Sequence, residues 1–175
     1  MKMSRIYQAE QKDARRIHSL MVQVHSQMEN PSMYVCDDLE FVRRHIEDEG
    51  FILIAAGEQD ELLGSLIVRF PKSAEDNLGE ELLLSEKMRN QVAYMESAVV
   101  AKSARGQGIF VKLMRQAELI AKQKGYTIFM GTVSPDNPAS YLSFEKMGYE
   151  LLKTKEKYGG YLRRIYFSDR RTPLL

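Results

Sequence analysis

Two glycines that flank one glutamine, preceded by an arginine, form the segment of this sequence best suited to hold an anion. The residues are Arg105, Gly106, Gln107 and Gly108, and an apolar helical pattern follows them. A helix start presents backbone N–H groups without acceptors and the positive end of the helix dipole. Glycine lets a phosphate approach that backbone without a Cβ in between. We therefore predict a phosphate or pyrophosphate site here, to which Arg105 adds positive charge.

The elements around this turn are predicted from their apolar spacing. The stretch 93–100 indicates a buried strand, and six apolar side chains after the turn share one helix face: Phe110, Leu113, Met114, Ala117, Ile120 and Ala121. Gly125 ends that helix, and the apolar stretch 127–133 indicates another strand. A strand, a helix and a strand in this order predict parallel neighbours in a sheet.

Two other glycine-rich phosphate patterns match this turn less well. A nucleoside-triphosphate loop has a lysine and a hydroxyl residue directly after its last glycine, whereas Ile109 follows Gly108. A dinucleotide fingerprint lies at the first strand of its domain and has a third glycine, where this chain has Val111. A tight turn into a helix without any ligand remains a further alternative.

The rest of the chain predicts an α/β domain of the mixed α+β type, with six or seven strands and about four helices. The elements expected before the turn are a strand at 4–9, a helix at 10–28, a helix that starts after Asp37 and Asp38, and antiparallel strands at 51–57 and 62–70. Those expected after it are a helix capped by Asn137 and ended by Gly148, and a terminal hairpin of 149–155 and 161–167. The stretch 71–91 has no clear periodicity and is predicted to be an insertion, which either shapes a substrate site or is an ordinary surface excursion.

Composition narrows the classes of function. Twenty-five basic and 24 acidic residues leave a formal charge of +1, without the global field of a nucleic-acid-binding protein. The longest apolar run, 51–56, is too short to span a bilayer. Cys36 is the single cysteine, so no internal disulfide can form, and we expect a cytoplasmic protein. Cysteine, histidine and acidic residues show no metal-ligand spacing, so no metal is expected.

Two segments resemble the Gcn5-related N-acetyltransferase (GNAT) superfamily, in the family's order and at compatible spacing. Residues 99–109 read VVAKSARGQGI and resemble its acyl-CoA-binding segment, which has the pattern Gln/Arg-x-x-Gly-x-Gly/Ala after a strand. Residues 136–149 read DNPASYLSFEKMGY and resemble its segment of Asn-x-x-Ala followed by Tyr-Glu-Lys-x-Gly-Phe. The resemblance implies a single acyl-CoA N-acyltransferase domain over 1–175, with a mostly antiparallel sheet and one splayed parallel pair.

The resemblance also implies how acetyl-CoA would be bound. Backbone N–H groups from Ala104 to Phe110 would hold the pyrophosphate, and the strand edge at 98–100 would pair with the pantetheine arm. Asn137 would contact that arm, unless it only caps its helix. Phe110 stands where the family has a small residue, and we expect its side chain to point inward. The implied cofactor residues are Ala98, Val99, Val100, Arg105, Gly106, Gln107, Gly108, Ile109, Phe110 and Asn137.

Two residues are the catalytic candidates. The acceptor amine must lose a proton before it attacks, and Glu96 resembles the catalytic acid of some members, although it could instead face outward or only orient the ammonium. Phe144 stands where many members carry a tyrosine that protonates the leaving thiolate, so Tyr141, one turn earlier, or water would take that role. His18, His25 and His45 lie in the first two predicted helices, away from the motif, and are not candidates.

The resemblance implies transfer of an acyl group, most simply acetyl, from acyl-CoA to a primary amine by direct attack in a ternary complex. The acceptor is expected to be a small-molecule amine or a peptide, with no nucleic acid or membrane as partner and a homodimer left open. Phe144 motivates an alternative, a non-catalytic acyl-CoA-binding or regulatory module of the same fold.

Overall fold

The computed structural model describes residues 2–171 of the chain as a mixed α/β fold around a seven-stranded sheet. The strands are β1 (Met3–Gln8), β2 (Gly50–Gly57), β3 (Leu62–Arg69), β4 (Val92–Val100), β5 (Ile128–Val133), β6 (Glu150–Lys157) and β7 (Tyr161–Asp169). The helices are α1 (Ala14–Ser26), α2 (Leu39–Glu47), α3 (Glu86–Arg89), α4 (Ile109–Gln123) and α5 (Pro138–Lys146). The order in the sheet is β1-β2-β3-β4-β5-β7-β6, and the predicted fold class is confirmed.

The chain divides into two compact units, with boundaries inside β4 and α4. The first unit comprises residues 2–69 and 96–117, and the second comprises 70–95 and 118–171. Among the described residues, no helix is both long and apolar enough to cross a membrane.

In the first unit, β2 pairs antiparallel with both β1 and β3, as predicted for the 51–57 and 62–70 stretches. Residues 51–57 are all buried, so this strand shows no alternation between polar and apolar residues. Helices α1 and α2 complete the apolar core. The helices contribute Ile17, Met21 and Val42, and strands β2 and β3 contribute Ile52, Ile54 and Ile67. Asp38 begins α2 as predicted, because its carboxylate accepts the Phe41 N–H at 2.7 Å.

In the second unit, β7 pairs antiparallel with β5 and β6, and β6 and β7 form the predicted terminal hairpin. The predicted parallel pair is confirmed, since Val92, Ala93 and Tyr94 of β4 pair with residues 128–130 of β5. Asn137 caps α5 by accepting the Ser140 N–H at 3.2 Å.

The stretch 71–91 is held by specific polar contacts in the second unit. It contains α3, which comes in addition to the four predicted helices. The Tyr94 hydroxyl donates to the Asp76 carbonyl at 2.9 Å and accepts the Leu78 N–H. The Glu81 carboxylate accepts from Lys153 and Lys155 of β6. These contacts fasten the predicted insertion to the sheet.

Helix α4 differs from its predicted pattern at its first turn. Ile109 is 1% exposed and begins the buried face, whereas Phe110 is only half-buried. The fully buried face of α4 therefore begins one residue earlier than predicted, and the inward orientation of the Phe110 side chain stays a prediction. Adjacent apolar residues at a helix start leave the phase of the buried face undecided by about 100°.

Candidate functional site

The glycine turn before α4 is open. Gly106 and Gly108 have φ angles of 77° and 69°, which L side chains rarely adopt, and a Cβ added at either would meet nothing within 4 Å. The first helical backbone bond runs from the Lys112 N–H to the Gly108 carbonyl at 3.1 Å. The backbone N–H groups of the first turn of α4, which begins at Ile109, precede this bond and lie at the positive end of the helix dipole. This arrangement suits an anionic group such as a pyrophosphate.

Gly64 of β3 lies close to the residues on either side of this turn. A Cβ added at Gly64 would lie 2.9 Å from the Val99 carbonyl oxygen and 3.2 Å from Ile109 Cγ2. The Ala101 N–H donates to the Leu63 carbonyl at 2.8 Å. The absence of a side chain at Gly64 thus lets the end of β4 and the start of α4 approach β3 closely.

The end of β4 carries the other predicted cofactor residues. Val99 is 3% exposed, whereas Ala98 and Val100 are half-buried. The pairing of β4 with β5 is described only for residues 92–94, so residues 98–100 lie beyond that register. The exposed Arg105 donates from Nε to the Val100 carbonyl at 3.4 Å, which holds its positive charge beside the turn.

Glu96 belongs to a polar cluster in the first unit. Its side chain is 16% exposed, and its Oε2 lies 3.9 Å from Nη1 of Arg69, the last residue of β3. The next residue, Ser97, is buried, and its Oγ is 2.6 Å from the hydroxyl of Tyr34. Glu96 is thus a largely buried carboxylate with a nearby guanidinium, and its predicted catalytic role stays a prediction.

The segment between α1 and α2 adds a second carboxylate to this cluster. Burial and, to a lesser extent, the charge of Asp38 raise the pKa of Asp37 to about 6, whereas Arg69 partly opposes the shift. Burial also raises the pKa of Tyr34 well above its usual range, with Asp37 and Glu96 contributing in the same direction. Sequence reasoning noticed Asp37 only as part of a helix-cap signal and did not single out Tyr34 or Arg69.

His45 is buried in α2 and is not exposed at all. Its Nδ1 lies 2.7 Å from the Phe41 carbonyl oxygen, and its ring stacks on that of Phe41 at 4.1 Å. Burial lowers its pKa, and Arg69 lowers it further. His45 is therefore a neutral packing residue at neutral pH, although the charge of Arg69 reaches it.

In the second unit, α5 carries the remaining predicted residues. Tyr141 is half-buried, and the Arg164 guanidinium lies 4.1 Å from the centre of its ring. Phe144 is 2% exposed and packs edge-on against Tyr149 at 5.0 Å. Asn137 serves as the helix cap described above. Its predicted contact with a cofactor stays a prediction.

Phe144 is a core residue because of its contact with β5. A Cβ added at Gly131 would lie 2.7 Å from Phe144 Cζ, so the tip of the ring faces the backbone of that strand. Tyr166 stacks against the ring at 5.5 Å. The described residues 2–171 contain no group of three or more His, Cys, Asp or Glu side chains that could hold a metal ion.

Comparisons with solved structures show the same fold in bacterial acetyltransferases. An N-acetyltransferase from Staphylococcus aureus Mu50 is 19% identical and has a TM-score of 0.71, with 95% of this chain and 98% of that chain covered. The Salmonella typhimurium protein yncA, solved with its cofactor acetyl-CoA, is 15% identical and has a TM-score of 0.72, with 100% and 98% covered. A phosphinothricin acetyltransferase from Sinorhizobium meliloti, in complex with acetyl-CoA, is 13% identical and has a TM-score of 0.71, with 97% and 89% covered.

A match to a sequence model of a protein family identifies the family of this chain. No curated protein sequence matches the chain. The family model described as the acetyltransferase (GNAT) family matches residues 7–149, which include both β4 with its glycine turn and the whole of α5. Since this match covers most of the chain and agrees with the observed fold, the protein belongs to the acetyltransferase (GNAT) family.

Proposed function

We propose that this chain is a single acyl-CoA N-acyltransferase domain that transfers an acyl group, specifically acetyl, from CoA to a primary amine. The observation that carries the proposal is the pairing of two features within the first unit. An open glycine turn at the start of α4 follows the strand that carries the largely buried Glu96. Membership of the family supports this use of both features.

The chain's own residues supply binding and orientation. The N–H groups of residues 104–110 would hold the pyrophosphate, and Arg105 would add charge at its side. The backbone of residues 98–100 would pair with the pantetheine arm as a further strand would. Asn137 would contact the pantetheine arm, as the resemblance implies.

Acetyl-CoA, when bound, supplies a thioester carbonyl activated for attack by a neutral amine. Glu96 would contact the incoming ammonium and accept the proton that the amine must lose. The amine nitrogen then forms its bond to the acyl carbon as the carbon–sulfur bond breaks. Tyr141 is the proposed proton donor to the leaving sulfur, with water as the alternative, because Phe144 has no hydroxyl.

Gly108→Glu tests the cofactor assignment. The substitution places bulk and negative charge at the open turn, so we expect acetyl-CoA binding measured by calorimetry to be lost while the circular dichroism spectrum stays unchanged. Gly125→Glu is the matched control, because Gly125 also has a positive φ, 89°, and open space, but lies after the other end of α4. Unchanged affinity in Gly108→Glu would contradict the assignment of the turn.

Glu96→Gln and Tyr141→Phe test the chemical step. If Glu96 is the base, its variant should lose turnover chiefly at low pH, where the acceptor is most protonated. A uniform loss across pH would instead show that Glu96 only orients the amine. Release of free thiol from acetyl-CoA with a panel of amines is the assay, and tight acetyl-CoA binding without any release would identify a non-catalytic binding module.

A further inference from the structure

We propose that Arg69 is a specificity-determining residue of the acceptor site, which selects α-amino acids over amines that lack a carboxylate. The proposal rests on the acyl transfer proposed above and names the acceptor class that the same site would take. Glu96 would meet the reacting ammonium group, and the Arg69 guanidinium would bind the carboxylate attached to the same carbon atom.

Neighbouring strands of the first unit bring Arg69 and Glu96 together. Arg69 ends β3, and Glu96 lies in β4, which is next to β3 in the sheet. Arg69 Nη1 lies 3.9 Å from Glu96 Oε2, and the two side chains are 20% and 16% exposed. Each is thus held by the protein but keeps some surface that a ligand can reach. Arg69 also acts on Asp37, although this is the smallest of the effects on the pKa of Asp37.

The spacing of the pair suits the two charged groups of an α-amino acid. A charge-assisted hydrogen bond spans about 2.7–2.9 Å, so the two atoms 3.9 Å apart are not in direct hydrogen-bond contact. The ammonium and the carboxylate of an α-amino acid are joined through one carbon atom, so both can lie against the pair at the same time. Each would face the opposite charge, and the four groups would form a ring of alternating charges.

The charge count distinguishes the two classes of acceptor. Glu96 and Arg69 together carry no net formal charge. An amine without a carboxylate brings its ammonium group to a pair that already contains a guanidinium, so the two cations repel each other. The carboxylate of an amino acid cancels this extra positive charge. The pair therefore favours an acceptor that carries both signs of charge.

Proton transfer strengthens the contact between Arg69 and the carboxylate. When Glu96 accepts the proton from the ammonium, both groups become neutral, whereas Arg69 and the substrate carboxylate keep their charges. The guanidinium thus exchanges one anionic neighbour for another, and the net charge stays the same. The nitrogen lone pair then attacks the acyl carbon. An interaction that strengthens on the way to the transition state accelerates the reaction as well as binding the substrate.

Matched pairs of acceptors test the proposal with the full chain: L-alanine, L-leucine and L-phenylalanine, each compared with its own amide. The amide keeps the shape of the amino acid but carries a neutral group, and its amine loses a proton more readily, which biases the comparison against the prediction. We expect kcat/KM for thiol release to be about tenfold higher for the acid of each pair that reacts. Part of the advantage should lie in kcat, because the contact strengthens during the reaction.

Arg69→Met should reduce the ratio of kcat/KM between acid and amide to about one, whereas Arg69→Lys keeps the positive charge and should retain part of the ratio. Each ratio is measured on a single protein, so a general loss of activity or stability cancels. Arg44→Met is the matched control, because Arg44 is an exposed residue of α2 whose Nε lies 3.2 Å from Glu49. It removes the same charge from the first unit, and the wild-type ratio should persist.

If Arg69→Met releases no thiol with any acceptor, calorimetry decides, with protein saturated with CoA, which has no acyl group to transfer. The acid of the pair that the wild type uses best should bind more tightly than its amide to the wild type but not to Arg69→Met. Amides or simple amines that react as fast as the acids, or a ratio that survives in Arg69→Met, overturn the inference and leave the proposed function standing. Wild-type protein that does not bind acetyl-CoA, or binds it without thiol release with any amine, overturns the proposed function itself.

Discussion

Substitution of Gly131 by alanine tests whether Phe144 is fixed in the core of the second unit. A Cβ at this position of β5 would lie 2.7 Å from Cζ and 2.8 Å from Cε1 of Phe144. The ring has little room to move, because its centroid lies 5.0 Å from that of Tyr149 and 5.5 Å from that of Tyr166. The added methyl group must therefore displace either an aromatic cluster or the strand backbone.

The expected cost follows from this overlap. Overpacking of a core typically lowers the free energy of unfolding by about 1–3 kcal/mol. We expect a loss of about 2–3 kcal/mol here, because the Phe144 ring is packed between two other aromatic rings. For a chain of this size each kcal/mol lowers Tm by about 2–4 °C, so Gly131→Ala should lower Tm by about 4–12 °C. Urea unfolding should show a lower midpoint with an unchanged m value.

A double-mutant cycle identifies the cause of the loss. Phe144→Leu removes the ring atoms that meet the new methyl group, so Gly131→Ala should cost far less in that background than in the wild type. We expect a coupling free energy of at least about 1 kcal/mol between the two positions. Gly131→Ala with unchanged Tm, or two losses that simply add, would show that the ring is free to move and would refute the packing argument.

Three further predictions concern the second unit. Phe144→Tyr should not raise thiol release, because the new hydroxyl would extend from Cζ toward Gly131, and it should lower the free energy of unfolding by about 1–2 kcal/mol; a faster enzyme would contradict this. Arg170→Met should lower the free energy of unfolding, measured in urea, by about 3 kcal/mol. The buried Glu118 lies 3.6 Å from Arg170 Nε and would lose its cation, so adding Glu118→Gln should recover part of the loss. Glu81→Gln should lower stability by about 1 kcal/mol at pH 7. Its two lysine partners depress the pKa of Glu81 to about 2, so the wild-type advantage should be present above about pH 4.5 and disappear as pH falls toward 2, whereas a constant difference would contradict the pairing.

The sequence by itself determined the features that depend on neighbouring residues. Two glycines of positive φ, a helix start and an apolar helix face lie within a few residues of one another, so the turn at 105–108 was predictable from the sequence. The caps at Asp38 and Asn137 were predictable for the same reason, because each side chain bonds a backbone N–H only three residues ahead. The parallel pairing of β4 with β5 followed from the order of strand, helix and strand.

Tertiary structure decided the features that depend on distant residues and on the phase of packing. The polar cluster of the first unit draws its residues from three separate stretches of the chain. Only the folding of β3, β4 and the α1–α2 connection lets these residues interact: Tyr34, Asp37, Arg69 and Glu96. Local spacing carries no information on such long-range contacts, because each residue alone looks like an ordinary surface or cap residue. The sequence could likewise show that Phe144 lacks a hydroxyl, but only the contact of its ring with Gly131 shows that this position is occupied by packing.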